Sequence, residues 1–514
     1  MPRAWGNPMS VAYGIRWDDG KRIRLVTTLL AALVALAAFV GMKAGAERSM
    51  TAVVVSARAG SANTAAHSVE ALGGKVGARI SLIHGFIAKV PSDRISALRS
   101  AGGVLSAIVD RTVHLSSSDD SAAAKAASAS LGQVKQEIGA DKLAAQGVTG
   151  KGVDIALVDS GVVPVPGLDA ASKVYVGPDF TPETDDPSTK GLDTYGHGTH
   201  LAGIMVGNNP AAGFSGVAPD ARLVSVKAAT NDGSTNLGEL LLSMSWVVMH
   251  RHSDGLNIRV LNLSFGSELD VSYVADPLAY AAEQAWKSGI VVVAAAGNGN
   301  DILGLDTPAA DPYVVSVGAS DMGGKAVLSD DKVPDWSRVG NSTRAPDVVA
   351  PGTSLVSLRD PGSFVDQNHP EGKVGNGYFK GSGTSQAAAV VSGAAALLIQ
   401  KDPSLTPDQV KGLLVGSADR LPKATPLTEG AGQIDLARAA TLPVPTAVQN
   451  WPVASLYAIL SANRSEDVTV DPGGTGKNLD ANRWSANRWS ANRWSANRWS
   501  ANRWSDSSWG DSTG

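Results

Sequence analysis

The stretch Val153-Asp-Ile-Ala-Leu-Val-Asp-Ser-Gly161 decides the fold class of this chain. Its mainly apolar run, Val153–Val158, has the length of one β-strand. A run of this kind is typical of a parallel strand that is covered on both faces. Asp159 follows directly, at the carboxyl end of the strand, where open α/β sheets place their ligands. The stretch therefore predicts a parallel sheet with a carboxylate at its functional edge.

Further apolar segments alternate with helical patterns, which indicates parallel strands joined by crossover helices on both faces of a sheet. The predicted strands are Arg222–Ala228, Ile258–Leu263, Gly289–Ala295 and Val314–Val317. The predicted helices start at Thr199 or cover Leu237–His250, Val274–Lys287, Gln386–Gln400 and Thr406–Ser417.

Two segments carry groups that suit nucleophilic catalysis. His197 lies between two glycines in Tyr195-Gly-His-Gly-Thr-His-Leu-Ala-Gly203, and Ser385 lies in the glycine-rich turn Gly381-Ser-Gly-Thr-Ser-Gln-Ala-Ala-Ala389. A serine hydroxyl attacks well only when a base takes its proton, and a carboxylate can orient that base. Together with Asp159, these two residues are the candidate catalytic residues.

A fourth segment, Ile290-Val-Val-Val-Ala-Ala-Ala-Gly-Asn298, predicts a buried strand that ends in an asparagine. The Asn298 amide can donate to the oxygen of a tetrahedral intermediate, beside the backbone N–H of Ser385. Taken singly, each candidate has an ordinary structural role: Asp159 in a turn, Ser385 at a helix cap and Asn298 in a loop. Their combination favours catalysis. His200, three residues after His197, is predicted to be a buried helix histidine.

These segments resemble the subtilisin-like serine proteases, the subtilase family. The elements Asp-Ser-Gly, His-Gly-Thr-His, Ala-Ala-Gly-Asn and Gly-Thr-Ser-x-Ala occur in that family's order over Leu131–Ala439, with a weaker match over Thr51–Leu115. The resemblance implies an α/β, three-layer domain with a mainly parallel sheet. It also implies a serine endopeptidase that hydrolyses proteins or peptides through an acyl-enzyme.

The resemblance further implies a cleft that holds an extended peptide between two edges. Its substrate-binding residues are Gly233, Ser234 and Thr235 on one side and Ser264, Phe265 and Gly266 on the other. Asp306, just before Thr307-Pro308, is expected to be a loop carboxylate that faces water. The alternative is that Asp306 aligns with the floor of the first specificity pocket, where the resemblance implies a preference for Lys or Arg at the cleaved position.

Residues 51–115 have the pattern of a small α+β domain, β-α-β-β-α-β. Its predicted strands are Thr51–Ala57, Val76–Ile83, Phe86–Val90 and Val104–Val113, and its predicted helices are Asn63–Leu72 and Asp93–Ser100. By resemblance this is a propeptide that inhibits its own enzyme; the alternative is an independent small domain. Residues 116–130, almost wholly Ser, Ala, Asp and Lys, are typical of an exposed linker open to processing. The catalytic domain is expected over 131–442.

The amino-terminal residues 1–46 predict export. Lys21-Arg-Ile-Arg24 precedes the uncharged stretch Leu25–Met42, and Ala44-Gly-Ala46 suits signal-peptidase cleavage. A cleaved signal peptide makes the protein secreted. An uncleaved membrane anchor through residues 25–42 is the main alternative, and a buried core helix is the other.

Composition excludes several classes of function. The chain has a net charge of −4, so nothing indicates a nucleic-acid partner, and it has no cysteine, which removes disulfides, thiolate zinc sites and cysteine nucleophiles. No cofactor is assigned. A family calcium site is doubtful because the loop over 207–213 lacks carboxylates. The acidic run of Asp179, Glu183, Asp185 and Asp186 either binds a cation or is a solvated loop.

The carboxyl-terminal residues 443–514 begin at the break Pro443-Val-Pro445 and end in repeats of Ala-Asn-Arg-Trp-Ser. The repeated tryptophans are Trp484, Trp489, Trp494, Trp499 and Trp504. A spacing of five gives no single apolar stripe on a helix or a strand, so we expect a disordered tail. Contact with the cell envelope or with glycans is the second interpretation and RNA binding the third. The competing functional class is a noncatalytic envelope protein with a protease-like fold.

Overall fold

The computed structural model describes residues 49–115, 127–267, 272–299 and 304–457, and the backbone of 469–470 and 479–480. The predicted signal peptide or anchor, most of the linker and the tryptophan repeats lie outside these residues. Within the described residues, no helix combines the length and the apolar character that crossing a membrane requires.

The elements alternate along most of the chain, as expected for an α/β protein. The strands are β1 Met50–Ala57, β2 Lys75–Ile80, β3 Gly85–Pro91, β4 Val104–Val109, β5 Thr112–Leu115, β6 Ala129–Ser130, β7 Asp154–Asp159, β8 Val174–Asp179, β9 Asn208–Asn209, β10 Phe214–Ser215, β11 Arg222–Lys227, β12 Ser234–Asn236, β13 Ile258–Leu263, β14 Phe265–Gly266, β15 Val291–Ala295, β16 Val315–Ser320, β17 Val348–Pro351, β18 Leu355–Leu358, β19 Lys373–Val374, β20 Tyr378–Gly381, β21 Thr469–Val470 and β22 Leu479–Asp480. The α-helices are α1 Ala62–Ala71, α2 Ile95–Arg99, α3 Leu131–Glu137, α4 Ala140–Ala144, α5 His197–Val206, α6 Leu237–His250, α7 Pro277–Lys287, α8 Phe364–Asn368, α9 Thr384–Lys401, α10 Pro407–Gly416, α11 Pro426–Glu429 and α12 Leu436–Ala439.

The amino-terminal part forms a small sheet in the order β2-β3-β1-β4, with α1 and α2 in the predicted strand-helix-strand-strand-helix-strand sequence. It has an apolar core of its own, which includes Val55, Val69, Phe86 and Leu98. The strands β1 and β4 are buried on both faces. Because the side-chain period of a strand is two, Val53 and Val55 lie in this core while Val54 lies in the larger one.

The prediction of one last strand over Val104–Val113 is wrong. The structure divides it into β4 and β5, with Asp110 and Arg111 between them. Both charged residues bind the larger domain: the Asp110 carboxylate accepts from the Gly238 N–H at 2.8 Å, and Arg111 lies 3.1 Å from Asp276. The strand β5 therefore leaves the small sheet, and only tertiary contacts could reveal the division.

The larger domain is built on seven parallel strands in the order β17-β16-β15-β13-β7-β11-β8. The interior strand β7 is buried along its whole length, as its apolar sequence predicts. The sequence prediction missed β8 and β17, which lie at the two edges of the sheet. Edge strands are less buried or shorter, so their apolar signal is weaker; no residue of β8 is fully buried.

Two groups of helices cover the sheet, which completes the three layers. The helices α5 and α9 pack on each other, and α6 packs on α7. The helix α9 is buried from Thr384 to Ile399, because its small side chains let it pass through the core. Thr406 and Gln409 form a capping box at α10, with Pro407 at its first position, in agreement with the predicted helix start.

After Leu442 the chain continues along the surface of this domain to Tyr457. The hydroxyl of Tyr313 donates to the Trp451 carbonyl at 2.9 Å, and that of Tyr273 donates to the Pro452 carbonyl at 2.9 Å. Residues as late as Leu456 belong to the core of the larger domain.

Candidate active site

Asp159 and His197 meet at the carboxyl edge of the sheet. Asp159 is the last residue of β7 and His197 is the first of α5. The Nδ1 atom of His197 lies 2.9 Å from Oδ1 and 3.0 Å from Oδ2 of Asp159, and both side chains are buried. Because a carboxylate can only accept here, Nδ1 carries the proton and Nε2 keeps a lone pair. No described residue gives that Nε2 a hydrogen bond.

The surroundings of His197 adjust its basicity. Burial by itself lowers the pKa of the imidazole, but the charge and hydrogen bond of Asp159, with the charge of Asp193, outweigh it, so the pKa of His197 is raised. His200 is different: burial and the neighbouring His197 lower its pKa to about 4. Its Nε2 faces the carbonyl oxygens of Leu355 and Phe379 at 3.3 and 3.2 Å. His200 is thus the buried, neutral helix histidine that the sequence predicts.

Ser385 is fully buried in the first turn of α9. The sequence placed the helix start after it, at Gln386, and this is wrong, because the helix begins at Thr384. Thr384 and Ser385 are helical because Asn298, which lies far from them in the sequence, caps the helix: its Oδ1 accepts from the Thr384 N–H at 3.0 Å. The N-terminus of a helix carries partial positive charge that favours a developing anion.

Asn298 lies beside this turn. Its Oδ1 also accepts from the Thr384 hydroxyl at 3.1 Å, and the Gly297 N–H donates to the same hydroxyl at 3.2 Å. Its other amide atom, Nδ2, is buried and has no hydrogen-bond partner among the described residues. Buried donors are rarely left without a partner, and functional sites are where such exceptions occur. The amide is thus held through its oxygen, with its donor available.

The segments around these residues are packed together. His200 lies one turn after His197 on α5 and packs directly on Gly381, four residues before Ser385; a Cβ built on Gly381 would lie 2.9 Å from the His200 ring. The structure thus brings the helix α5 with His197, the first turn of α9 with Ser385, and the segment after β15 with Asn298 to one edge of the sheet.

The predicted cleft residues flank a strand of the chain itself. The strand β5 lies between β12 and β14 and pairs antiparallel with both. In this register Ser234 and Thr235 face His114 and Val113. The Gly233 carbonyl accepts from the Leu115 N–H at 3.0 Å.

On the other side of β5, Phe265 and Gly266 face Leu115 and His114. The Ser264 hydroxyl instead donates to the Asn262 side chain at 3.0 Å. Ser264 is fully buried in this arrangement.

Sequence reasoning missed Asp193. This buried carboxylate accepts from the Ser160 hydroxyl at 2.8 Å and from the backbone N–H groups of Gly196 and Thr199 at 2.6 and 2.7 Å. It thereby joins the end of β7 to the start of α5 and orients His197. The available sequence signal was an aspartate four residues before the histidine, just ahead of a helix start.

Two acidic features have partners within the chain. Asp306 is 7% exposed and lies 3.3 Å from Arg338, so the prediction of a loop carboxylate that faces water is wrong. In the acidic run, Glu183 binds Lys227 at 2.7 Å and Asp179 accepts from the Gly191 N–H at 2.9 Å. No group of three or more metal-binding side chains exists among the residues that the structure describes.

Comparison with known proteins agrees with this geometry. The sequence profile of the subtilase family matches residues 150–433, more than half of the chain. The chain therefore belongs to the subtilase family, and the predicted fold class, a three-layer α/β domain with a mainly parallel sheet, is confirmed.

Individual relatives point the same way. The chain is 36% identical over 300 residues to the serine protease AprX of Bacillus subtilis (strain 168), which covers 56% of this chain and 66% of that protein. It is 32% identical over 291 residues to subtilisin DY of Bacillus licheniformis, covering 55% of this chain and 90% of that protein.

Solved structures support the fold. Fervidolysin from Fervidobacterium pennivorans, a keratinolytic enzyme related to subtilisin, superposes with a TM-score of 0.60 and 22% identity, covering 78% of this chain and 62% of that chain. The present chain spans 66% of the length of AprX and 65% of that of subtilisin NAT from Bacillus subtilis subsp. natto.

Proposed function

We propose that this protein is a serine endopeptidase that hydrolyses peptide bonds of proteins through an acyl-enzyme. The observation that carries the proposal is the state of His197: Asp159 holds its Nδ1 at 2.9 Å, while its Nε2 has no partner among the described residues. An imidazole held in this tautomer is a general base, and the serine turn lies at the same edge of the sheet.

In the proposed reaction the Ser385 hydroxyl gives its proton to Nε2 of His197 as Oγ attacks the substrate carbonyl. The Asn298 amide and the Ser385 backbone N–H donate to the oxyanion. The imidazolium then gives the proton to the leaving amine and the C–N bond breaks, which leaves an acyl-serine. His197 then takes a proton from a water molecule as the water oxygen attacks this ester, and the imidazolium returns that proton to Oγ of Ser385 as the acyl C–Oγ bond breaks. Asp159 stabilises the imidazolium. These steps use only groups of the protein and a water molecule, so we assign no cofactor.

We further propose that substrates bind as extended peptides between β12 and β14. These two edges offer their backbone groups to a third strand irrespective of its side chains. Gly233, Ser234 and Thr235 would bind one side of the peptide, and Phe265 and Gly266 the other. The strand β5 occupies this place and makes the same kind of ladder. That occupancy supports a zymogen in which residues 51–115 inhibit the enzyme until they are cleaved off.

Two contacts support this inhibitory role for the amino-terminal domain. Asp110 accepts from Gly238 in the first turn of α6, where the helix dipole favours a negative charge. Arg111 binds Asp276, the N-cap residue of α7. Export, by a cleaved signal peptide or with an anchor through residues 25–42, is proposed from the sequence of residues 21–46 alone.

The test is activity of purified wild type and Ser385→Ala. We expect casein hydrolysis and covalent labelling by a serine-directed fluorophosphonate in the wild type, and neither in the variant. Equal behaviour of the two proteins would favour the noncatalytic envelope protein. Ser385→Ala should also accumulate with residues 51–115 still attached; a variant that matures normally would exclude self-cleavage but leave endopeptidase activity intact.

A further inference from the structure

Two glycines face each other beside the proposed oxyanion donor. Gly297 directly precedes Asn298, and Gly266 ends the short strand β14 that pairs with His114 of β5. The Asp306 carboxylate lies between them. A Cβ built on Gly266 would lie 2.6 Å from the Asp306 Oδ2, and one built on Gly297 would come closer still. The carboxylate fits there only because both neighbours lack a side chain.

This space is where the side chain of the cleaved residue must go. In the proposed reaction the carbonyl oxygen of that residue lies about 3 Å from the Asn298 amide. Its Cα is two bonds further on, so its side chain starts within a few ångströms of Gly297. The peptide main chain runs along Gly266, as β5 does. The carboxylate of Asp306 therefore forms the end of the first specificity pocket.

The charge of this carboxylate is already balanced by the protein. The guanidinium Nη2 of Arg338 lies 3.3 Å from the Asp306 Oδ1, and the exposed fractions of the two side chains are 6% and 10%. The backbones of both residues bind the segment that leads from β15 to Asn298. The Asp306 N–H donates to the Ala296 carbonyl and the Arg338 N–H donates to the Gly297 carbonyl, each at 3.1 Å. The pair is thus built into the wall that carries Asn298.

We infer that the Asp306–Arg338 pair makes this pocket shallow and electrically neutral, so that the enzyme cleaves after small uncharged residues rather than after Lys or Arg. This inference rests on the proposed function. An incoming Lys or Arg would bring a second cation next to Arg338 into a site where Asp306 already has a partner, and juxtaposed like charges oppose binding. Large apolar side chains would meet the carboxylate that lies between the two glycines.

The chain's own sequence supports small residues at the cleaved position. The strand β5 ends at Leu115, and the next residues, 116–126, are four Ser, four Ala, two Asp and the single basic residue Lys125. Most residues of this segment are Ser or Ala, so a pocket that accepts these two residues would permit self-cleavage at most positions close behind β5. A pocket selective for Lys or Arg would find one such residue in this segment.

The test uses matched tetrapeptide p-nitroanilides that differ only in the residue before the anilide: Ala, Leu or Lys. For the wild type we expect kcat/KM for Ala to exceed that for Lys at least about 10-fold, the discrimination that one badly matched group in a pocket typically gives. Arg338→Gln leaves Asp306 without this cation, so the Lys/Ala ratio should rise at least about 10-fold.

A second variant tests depth rather than charge. Asp306→Ala removes the carboxylate from between the glycines, so the Leu/Ala ratio should rise about 10-fold or more. Lys325→Gln is the matched control for loss of one positive charge: Lys325 is 68% exposed and pairs with Asp330 at 3.8 Å, and its ratios should equal those of the wild type. Ratios measured on one preparation do not depend on the fraction of folded enzyme.

The inference is overturned if the wild type prefers Lys over Ala. It is also overturned if both pocket variants hydrolyse the Ala substrate with unchanged Lys/Ala and Leu/Ala ratios. Failure of the proposed function gives a different result: the wild type would then cleave none of the anilides and take no fluorophosphonate label. In that case the pocket inference is wrong as well.

Discussion

Truncation of the oxyanion donor, Asn298→Ala, tests the proposed mechanism most directly. Its Nδ2 has no partner among the described residues, so its removal deprives only the transition state of a hydrogen bond. Loss of the equivalent amide in a subtilisin costs about 10²–10³-fold in kcat, or about 2.7–4 kcal/mol, and that precedent sets the expected size. KM should change little, because the bond forms only as the oxyanion develops.

The structure adds a second consequence of this substitution. The Asn298 Oδ1 accepts from the Thr384 N–H at 3.0 Å and from its hydroxyl at 3.1 Å. Truncation leaves a buried N–H without its acceptor, at about 1–3 kcal/mol of folding free energy. We therefore expect the variant to fold, with a lower midpoint in urea.

The assay is steady-state hydrolysis of the Ala anilide, with active sites counted by fluorophosphonate titration. Asn257→Ala is the matched control: its Nδ2 donates to the Gly152 carbonyl at 2.8 Å at an exposed position, and its kcat should equal that of the wild type. A kcat for Asn298→Ala within about threefold of wild type, in folded enzyme, would refute the oxyanion role.

Two other predictions concern pH and stability. The raised pKa of His197 means that the neutral base is lost as pH falls, so the acid limb of kcat/KM should lie above pH 6.5, the ordinary histidine value. Asp193→Asn removes a nearby negative charge and should move that limb to lower pH in a pH–rate profile; an unmoved limb would show that Asp193 only positions the loop. Asp347 is fully buried and lies 2.9 Å from Arg344 and 3.0 Å from Lys411. Asp347→Ala therefore leaves two buried cations without this carboxylate, which should lower the free energy of unfolding by about 3–5 kcal/mol. The measurement is urea unfolding, with both proteins carrying Ser385→Ala. Burial alone would raise the pKa of Asp347, but the charges of these two cations outweigh it and lower the pKa. The stability that Asp347 contributes is therefore present above the ordinary pKa of aspartate and should be lost as pH falls. A cost below about 1 kcal/mol for Asp347→Ala would contradict this account.

The sequence predicted the strands that lie in the middle of the sheet and missed those at its edges. The strands β7 and β13 are buried on both faces, so the apolar run itself indicates them. The edge strand β8 has no buried residue and includes Pro178, which leaves little of that pattern. Boundaries were displaced where a partner far along the chain decides them, as Asn298 does at the start of α9.

The candidate site also contains residues that local sequence indicates and one that it does not. Asp159, His197, Ser385 and Asn298 could be proposed from the sequence because each stands near a strand end or a helix start, where side chains of one sheet edge converge. Asp193 was not found, because its role lies in three-dimensional hydrogen bonds to Ser160, Gly196 and Thr199 that no local pattern indicates.

By itself, the sequence determined the class of sheet and the chemical groups at its edge, because apolar strands and the short motifs at their ends are local features of the sequence. Only the tertiary structure decided that β5 leaves the small sheet to pair between β12 and β14, and that Arg338 forms an ion pair with Asp306. Both depend on contacts between residues far apart in the chain. The distance between two such groups follows from the packing of the whole domain, and local sequence does not encode it.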